Sequence, residues 1–162
     1  NQGIVVIAAS GNKGPETGSI TTPGIDPLII TAGCIECADT NMRNWKIPSF
    51  SGRGSRKEDH VKPDLVAPGV GVISLSCDRS YIPKKIGRRS PATAPPSPYC
   101  SMSGSSVSAA VAAGCTALAI EKMADISPKD LKCILKLSCQ TLNESKTVQG
   151  AGMINLKKLL SV

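Results

Sequence analysis

A serine-rich segment precedes the most apolar stretch of the sequence. It reads Ser103-Gly-Ser-Ser-Val-Ser108 and leads into residues 107–122, which are rich in Ala, Val and Leu and contain no Pro. This pattern predicts a buried helix with hydroxyls at its amino terminus, where unpaired N–H groups and the positive end of the helix dipole lie. A hydroxyl there could attack a carbonyl carbon while a neighbouring N–H stabilises the oxyanion. Taken alone, the pattern is more typical of an N-cap.

A second polar group follows an apolar segment near the start of the chain. Residues 3–9 form a continuous apolar run rich in β-branched side chains, which predicts a strand buried on both faces, and Asn12 follows it closely. Ligands of parallel sheets bind at the carboxyl ends of the strands, so the Asn12 amide could donate to an oxyanion there. The alternative is a turn asparagine in Asn12-Lys-Gly-Pro15, which we would favour if this segment stood alone.

Further patterns predict the elements that must position these groups. Residues 28–35 and 70–76 predict two more buried strands, residues 48–51 a short edge strand, and residues 127–138 a helix that begins with Ser127 as N-cap and Pro128 at its first position. Residues 77–99 predict a loop because they contain five prolines, residues 142–152 a second loop, and residues 155–160 a short helix. Buried strands followed by helices predict an α/β fold with a parallel sheet.

Composition and charge exclude several classes of protein. The chain has 162 residues, of which 41% are hydrophobic and 19% charged, which is typical of one globular domain and not of a disordered chain. Its apolar runs are too short or too interrupted to span a membrane, so no membrane partner is expected. The net charge is +7, but the basic residues are not interleaved with aromatic ones, since only one Trp, two Tyr and one Phe are present. No nucleic-acid partner is expected either.

The cysteines indicate neither a zinc site nor a disulfide scaffold. The sequence has seven, and Cys34-x-x-Cys37 is a lone pair without a second pair or a matching histidine. Cys115, Cys133 and Cys139 fall in apolar or helical patterns, where a free cysteine acts as a small hydrophobe. This usage favours a reducing, cytoplasmic compartment, and secretion remains open.

Several segments together resemble the subtilisin-like serine peptidases, or subtilases. They are Ala8-Ala-Ser-Gly-Asn12, Ser49-Phe-Ser-Gly-Arg-Gly-Ser55, Lys62-Pro-Asp-Leu-Val-Ala-Pro-Gly69, residues 103–114 and Gly150-Ala-Gly-Met-Ile-Asn155. These segments occur in the family's order along the whole chain. The resemblance implies a three-layer, doubly wound, mostly parallel α/β fold, of which residues 1–162 form the C-terminal part of the catalytic domain.

The resemblance also implies roles for individual residues. Ser106 corresponds to the nucleophile and Asn12 to the oxyanion donor, assisted by the backbone N–H of Ser106. Ser105 stands where the family has Thr beside the nucleophile and is assigned to substrate binding. One wall of the substrate pocket would consist of Ala9, Ser10 and Gly11, and residues 22–24 would form its far rim. The implied reaction is hydrolysis of a peptide bond in a peptide or protein substrate, through an acyl-enzyme on Ser106.

The family's catalytic Asp and His precede the oxyanion Asn, so both are expected upstream of residue 1. The isolated chain is therefore expected to be inactive, and its implied partner is the missing N-terminal part of the same catalytic domain. His60 is the only histidine; we expect it to be a surface loop residue, and Asp64 a structural carboxylate.

Clustered departures from the family's pattern, including Val111 and Gly54-Ser55, leave an alternative function open. Val107 replaces the Met after the nucleophile and Ala110 replaces a Pro. An inactive pseudopeptidase acting as an interaction or regulatory protein would tolerate such changes. Subtilases often bind calcium, which is therefore a cofactor that the resemblance implies, but no carboxylate cluster here has convincing spacing and no metal ligand is assigned.

Overall fold

The structure is a computed structural model that describes residues 3–38, 44–55, 60–75 and 99–161. In this part of the chain the elements are β1 (Ile7–Ala9), β2 (Ile30–Ile35), β3 (Leu65–Pro68), β4 (Val72–Leu75), β5 (Tyr99–Met102), α1 (Ser105–Lys122), α2 (Pro128–Ser138), α3 (Lys146–Gln149) and α4 (Leu156–Leu159).

A three-stranded parallel sheet forms the centre, in the order β1-β2-β3. Every residue of β2 is buried, because this strand lies between the other two. The outer side of β3 is covered by the segment that precedes α4: Val66 N–H donates to the Gly152 carbonyl and Ile154 N–H to the Val66 carbonyl. Parallel strands packed with helices confirm the α/β fold that the sequence predicts.

Helix α1 lies across all three strands of the sheet. Its buried positions carry small side chains, among them Ala112 and Ala119, which allow the helix to approach the strands closely. Helix α2 packs against α1 and α4 and contributes Leu131 and Leu135 to the same core. It begins as predicted, with the Ser127 hydroxyl accepting a hydrogen bond from Asp130 N–H at 3.1 Å.

The third buried strand is not the one that the sequence indicates. Residues 70–76 contain β4, which pairs with β5 as an antiparallel hairpin whose Ile73 and Leu75 side chains are 72% and 67% exposed. The third parallel strand is instead β3, which has four residues, begins two residues after Pro63 and ends at Pro68. Local sequence did not indicate this strand, which forms because residues 65–68 pair in parallel with β2.

Three smaller differences concern local structure. Residues 48–51 form a turn closed by Ser51 N–H and the Pro48 carbonyl, not an edge strand. The predicted loop 142–152 contains α3, and α1 begins two residues earlier than the apolar pattern indicated. Of the predicted loop 77–99, residues 77–98 lie outside the described residues.

Exposure corrects two expectations drawn from apolar patterns. Cys133 is exposed on α2 and does not pack as a core residue, although Cys34 and Cys139 are buried. Helix α1, predicted to be interior, leaves two large apolar side chains partly exposed: Leu118 is 43% and Ile120 37% exposed. Among the helices described, none has the length and apolar character needed to cross a membrane.

The carboxylate of Asp64 is the centre of a buried polar network. Its Oδ2 accepts hydrogen bonds from Thr31 N–H and Lys62 Nζ, both at 2.8 Å, and its Oδ1 pairs with Lys132 Nζ at 2.9 Å. Lys62 Nζ also donates to the Ile29 carbonyl and the Thr31 hydroxyl. Burial lowers the pKa of Lys62, while the Asp64 carboxylate acts in the opposite direction. Asp64 is thus structural, as expected.

Replacing Asp64→Asn should destabilise the fold by about 3–5 kcal/mol, because Lys62 would remain buried without its counter-charge. The matched control is Glu36→Gln, which removes the exposed ion pair with Lys46 and should cost within about 1 kcal/mol. Urea unfolding followed by circular dichroism measures both. Equal losses for the two variants would contradict a central role of the Asp64 carboxylate.

Candidate active site

The amino terminus of α1 is built on a glycine that no other residue could replace without strain. Gly104 is the N-cap and has φ 147° and ψ 158°, a conformation almost confined to glycine. An ideal Cβ at this position would lie 3.3 Å from Asn12 Nδ2. The glycine therefore allows the Asn12 side chain to lie directly against the first turn of α1. Ser106 follows in that turn and is exposed.

Asn12 and Ser105 are joined by two hydrogen bonds across 93 positions of sequence. The backbone N–H and the hydroxyl of Ser105 both donate to Asn12 Oδ1, at 2.8 and 2.9 Å. An N–H can only donate, so the amide oxygen must face Ser105 and Nδ2 must point elsewhere. Ser105 is fully buried whereas Asn12 is exposed. The amide is thus held by its oxygen, while Nδ2 lies on the Gly104 side.

The segment between β1 and Asn12 is packed tightly from both sides. Ser10 N–H donates to the Ala32 carbonyl and Gly52 N–H to the Gly11 carbonyl, each at 2.9 Å. On the other side, an ideal Cβ at Gly24 would lie 3.1 Å from the Ala9 carbonyl oxygen. Residues 9–11, which the resemblance assigns to a pocket wall, therefore contact residue 24 of the implied rim.

Gly69 connects this site to the sheet. Its carbonyl, just beyond the end of β3, accepts a hydrogen bond from Gly104 N–H at 2.8 Å. Cys34, at the end of β2, is buried nearby, and burial raises the pKa of its thiol, so that it stays neutral and inert. Sequence reasoning assigned no role to Gly69, although this glycine closes the segment 62–69 that it singled out.

The remaining candidates lie apart from these groups or have no ligand set. His60 is exposed in the approach to the start of β3, whereas Ser106 lies beyond that strand's carboxyl end. The described residues contain no cluster of three or more His, Cys, Asp or Glu side chains that could hold a metal ion. Calcium thus stays an expectation of the resemblance and carries no step below.

Ser106, Ser105 and Asn12 are therefore brought together at one edge of the sheet, with residues 9–11 leading into it. An exposed hydroxyl, an exposed amide donor and the N–H groups of a helix's first turn share this place. Such an arrangement can hold a carbonyl oxygen as it gains negative charge and present a hydroxyl to the carbonyl carbon. It does not by itself include a base that accepts the hydroxyl proton.

Comparison with known proteins gives a consistent result. The model of the subtilase family matches residues 1–153. The chain is 36% identical over 160 residues to serine protease AprX of Bacillus subtilis, covering 94% of this chain and 34% of AprX. It is 29% identical over 155 residues to subtilisin DY of Bacillus licheniformis, covering 96% of this chain and 46% of that protein. Among solved structures, the chain superposes on fervidolysin of Fervidobacterium pennivorans with a TM-score of 0.72. Fervidolysin is described as a keratinolytic enzyme related to subtilisin.

That superposition covers 99% of this chain and 23% of fervidolysin, at 19% sequence identity, and so speaks for the fold alone. The chain spans about a third of AprX and under half of subtilisin DY.

The Asn12–Ser105 contact makes a prediction about stability that does not depend on any activity. Asn12→Asp keeps an oxygen acceptor for Ser105 and should unfold at nearly the same urea concentration as wild type. Asn12→Leu leaves the buried Ser105 hydroxyl without its acceptor and should lose about 1–3 kcal/mol. Asn143→Leu, at another exposed asparagine, is the control and should have little effect. Equal stability of Asn12→Leu and Asn12→Asp would show that the contact does not hold the site together.

Proposed function

Because the chain belongs to the subtilase family, we propose that it supplies the nucleophile and the oxyanion-binding groups of a subtilisin-type serine endopeptidase. The observation that carries the proposal is the orientation of Asn12. Ser105 binds its amide oxygen, so that Nδ2 faces away from Ser105 and lies against Gly104, two residues before Ser106. A turn asparagine with no role in chemistry would not need two donors from the neighbour of a candidate nucleophile.

The proposed reaction begins when Ser106 Oγ attacks the carbonyl carbon of the scissile peptide bond. As the new C–O bond forms, the carbonyl electron pair moves onto oxygen, where Asn12 Nδ2 and the Ser106 N–H donate hydrogen bonds to it. Collapse of this intermediate breaks the C–N bond, releases the amine and leaves an ester on Ser106. Water then hydrolyses the ester and regenerates the hydroxyl.

Proton transfer in both steps needs a base that takes the hydroxyl proton and later gives it to the leaving amine. The subtilase resemblance assigns this role to a His oriented by an Asp, both in the part of the domain that precedes this chain. We propose that this N-terminal part is the chain's partner, and that the chain alone is inactive.

Two unpartnered apolar surfaces support docking of that part. The side of β1 away from β2 pairs with no other strand among the residues described, and Ile4 and Val6 on its approach are 68% and 48% exposed. On α1, the apolar side chains of Leu118 and Ile120 are also partly exposed. Open strand edges and exposed apolar faces promote association with further chain. The other edge of the sheet is covered, so additional strands would join beside β1.

The substrate we propose is an extended peptide or protein segment. This proposal follows from membership of the subtilase family, since the named relatives of the chain are proteases.

Ser106 should be the site of covalent labelling by a fluorophosphonate in the complete catalytic domain, meaning this chain together with its N-terminal part. Ser106→Ala should abolish both labelling and peptidase activity, whereas Ser103→Ala should retain labelling. Mass spectrometry of the labelled peptide identifies the residue.

Asn12→Asp should lower kcat by roughly 10²–10³ with little change in KM, because an oxyanion donor acts mainly on the transition state. A complete domain that folds, binds peptides and is neither labelled nor active would support the pseudopeptidase alternative.

Docking of the N-terminal part should depend on the apolar side chains that α1 leaves exposed. Leu118→Glu and Ile120→Glu each replace one of them with a charge and should weaken association of the two separately expressed parts by at least tenfold. Leu137→Glu, at an exposed leucine of α2, is the matched control and should associate normally. Calorimetry of mixing measures the affinity, and recovery of peptidase activity on mixing gives a second measure. Unchanged association of both α1 variants would contradict this docking surface.

A further inference from the structure

Gly69 lies directly behind the turn that carries Ser105 and Ser106. Its N–H donates to the Ile35 carbonyl at the end of β2, at 3.0 Å, and its carbonyl accepts from Gly104 N–H at 2.8 Å. One residue therefore connects the carboxyl end of the sheet to the N-cap of α1. Any displacement of Gly69 relative to Gly104 would be passed to the next residue, Ser105, which orients Asn12.

The space beside Gly69 is filled. An ideal Cβ built there would lie 2.0 Å from Ser108 Oγ, 2.7 Å from Cys34 Sγ and 3.0 Å from the Gly104 carbonyl oxygen. Two of these three neighbours belong to the start of α1, one being its N-cap and the other a residue of its first turn. A methyl group at position 69 would therefore press on the first turn of α1, which carries Ser105 and Ser106 and is called the catalytic turn below. The backbone angles of Gly69 are not the reason for the glycine, because its φ does not lie in the left-handed region.

Ser108 reveals how closely this contact is packed. Its side chain is fully buried, and its Oγ makes no hydrogen bond of normal geometry. The Cys34 thiol, which is only a weak hydrogen-bonding group, interacts with the Ser108 hydroxyl. A buried hydroxyl without a good partner costs stability, so its removal should not weaken the fold. Ser108 is thus a neighbour whose size can be reduced to test what Gly69 does.

We propose that Gly69 is a positioning residue for the oxyanion-binding groups: its lack of a side chain sets the distance between the sheet and Gly104, and so the placement of Ser105, Asn12 and the Ser106 N–H. This inference rests on the proposed peptidase function. Oxyanion donors must lie about 2.7–3.1 Å from the developing charge, so a small shift of the turn affects the transition state far more than the bound substrate.

The test uses the complete catalytic domain and compares kcat per fluorophosphonate-labelled site, taken at the end point of labelling, so that misfolded protein is not counted. Gly69→Ala should lower kcat roughly 10- to 100-fold with KM changed less than about twofold. Ser108→Ala alone should be near wild type. The double variant Gly69→Ala with Ser108→Ala should recover at least tenfold, because the atom nearest to the new methyl is gone.

A matched glycine separates positioning from general destabilisation. An ideal Cβ at Gly54 would lie 2.1 Å from the Lys62 carbonyl oxygen, a comparable clash outside the contacts of the catalytic turn. Gly54→Ala should lower the melting temperature but leave kcat per labelled site unchanged. An equal fall in kcat for Gly54→Ala and Gly69→Ala, or no recovery in the double variant, would overturn the inference.

If Gly69→Ala alone does not fold, two rescued variants carry the test. Adding Cys34→Ala to the double variant removes the second clashing atom, and kcat should rise further towards wild type; an unchanged kcat would contradict the inference. An inactive, unlabelled wild-type domain would contradict the proposed function and this inference with it. An active wild type with a fully active Gly69→Ala variant would contradict the inference alone.

Discussion

Most of the described structure depends on the hydrogen bonds and ion pairs of one buried carboxylate, that of Asp64. Through Thr31 it binds the central strand β2, through Lys62 the approach to β3, and through Lys132 the helix α2. Its backbone carbonyl also accepts from Ala151 N–H, ahead of the segment that covers β3. A buried carboxylate is tolerated only when it is paired, so these contacts must form together. The network reaches the site too, since the Thr31 hydroxyl donates to the Gly24 carbonyl.

The site itself depends on where parallel strands end. Asn12 follows β1 and Gly69 follows β3, and both meet the amino terminus of α1 at Gly104 and Ser105. Chemistry of the proposed kind needs donors held in place before charge develops. Here the helix end is tied to the Asn12 amide by two hydrogen bonds from Ser105 and to the sheet by a backbone hydrogen bond to Gly69, and glycine at positions 69 and 104 permits the close approach.

The same geometry explains how the proposed activity can be divided between two parts of one domain. The proposed nucleophile and oxyanion donors are positioned by contacts within this chain, whereas the base would be positioned by the N-terminal part that we propose to dock beside β1 and on α1. Docking would therefore bury core surface and complete the site in one step.

Local sequence pattern by itself determined the apolar helix after Ser103, the capped start of α2 at Ser127 and the strands that contain Ile7 and Ile30, because periodicity and capping are properties of neighbouring residues. The order of the family's motifs along the chain made Ser106 and Asn12 the candidate site residues. Tertiary structure alone decided that residues 65–68, which end in a proline, form the third strand and that residues 72–75 form an exposed hairpin strand. It also decided which end of the Asn12 amide faces Ser105. These outcomes depend on partners far away in the sequence, and pairing, burial and crowding by such partners leave no mark on local composition.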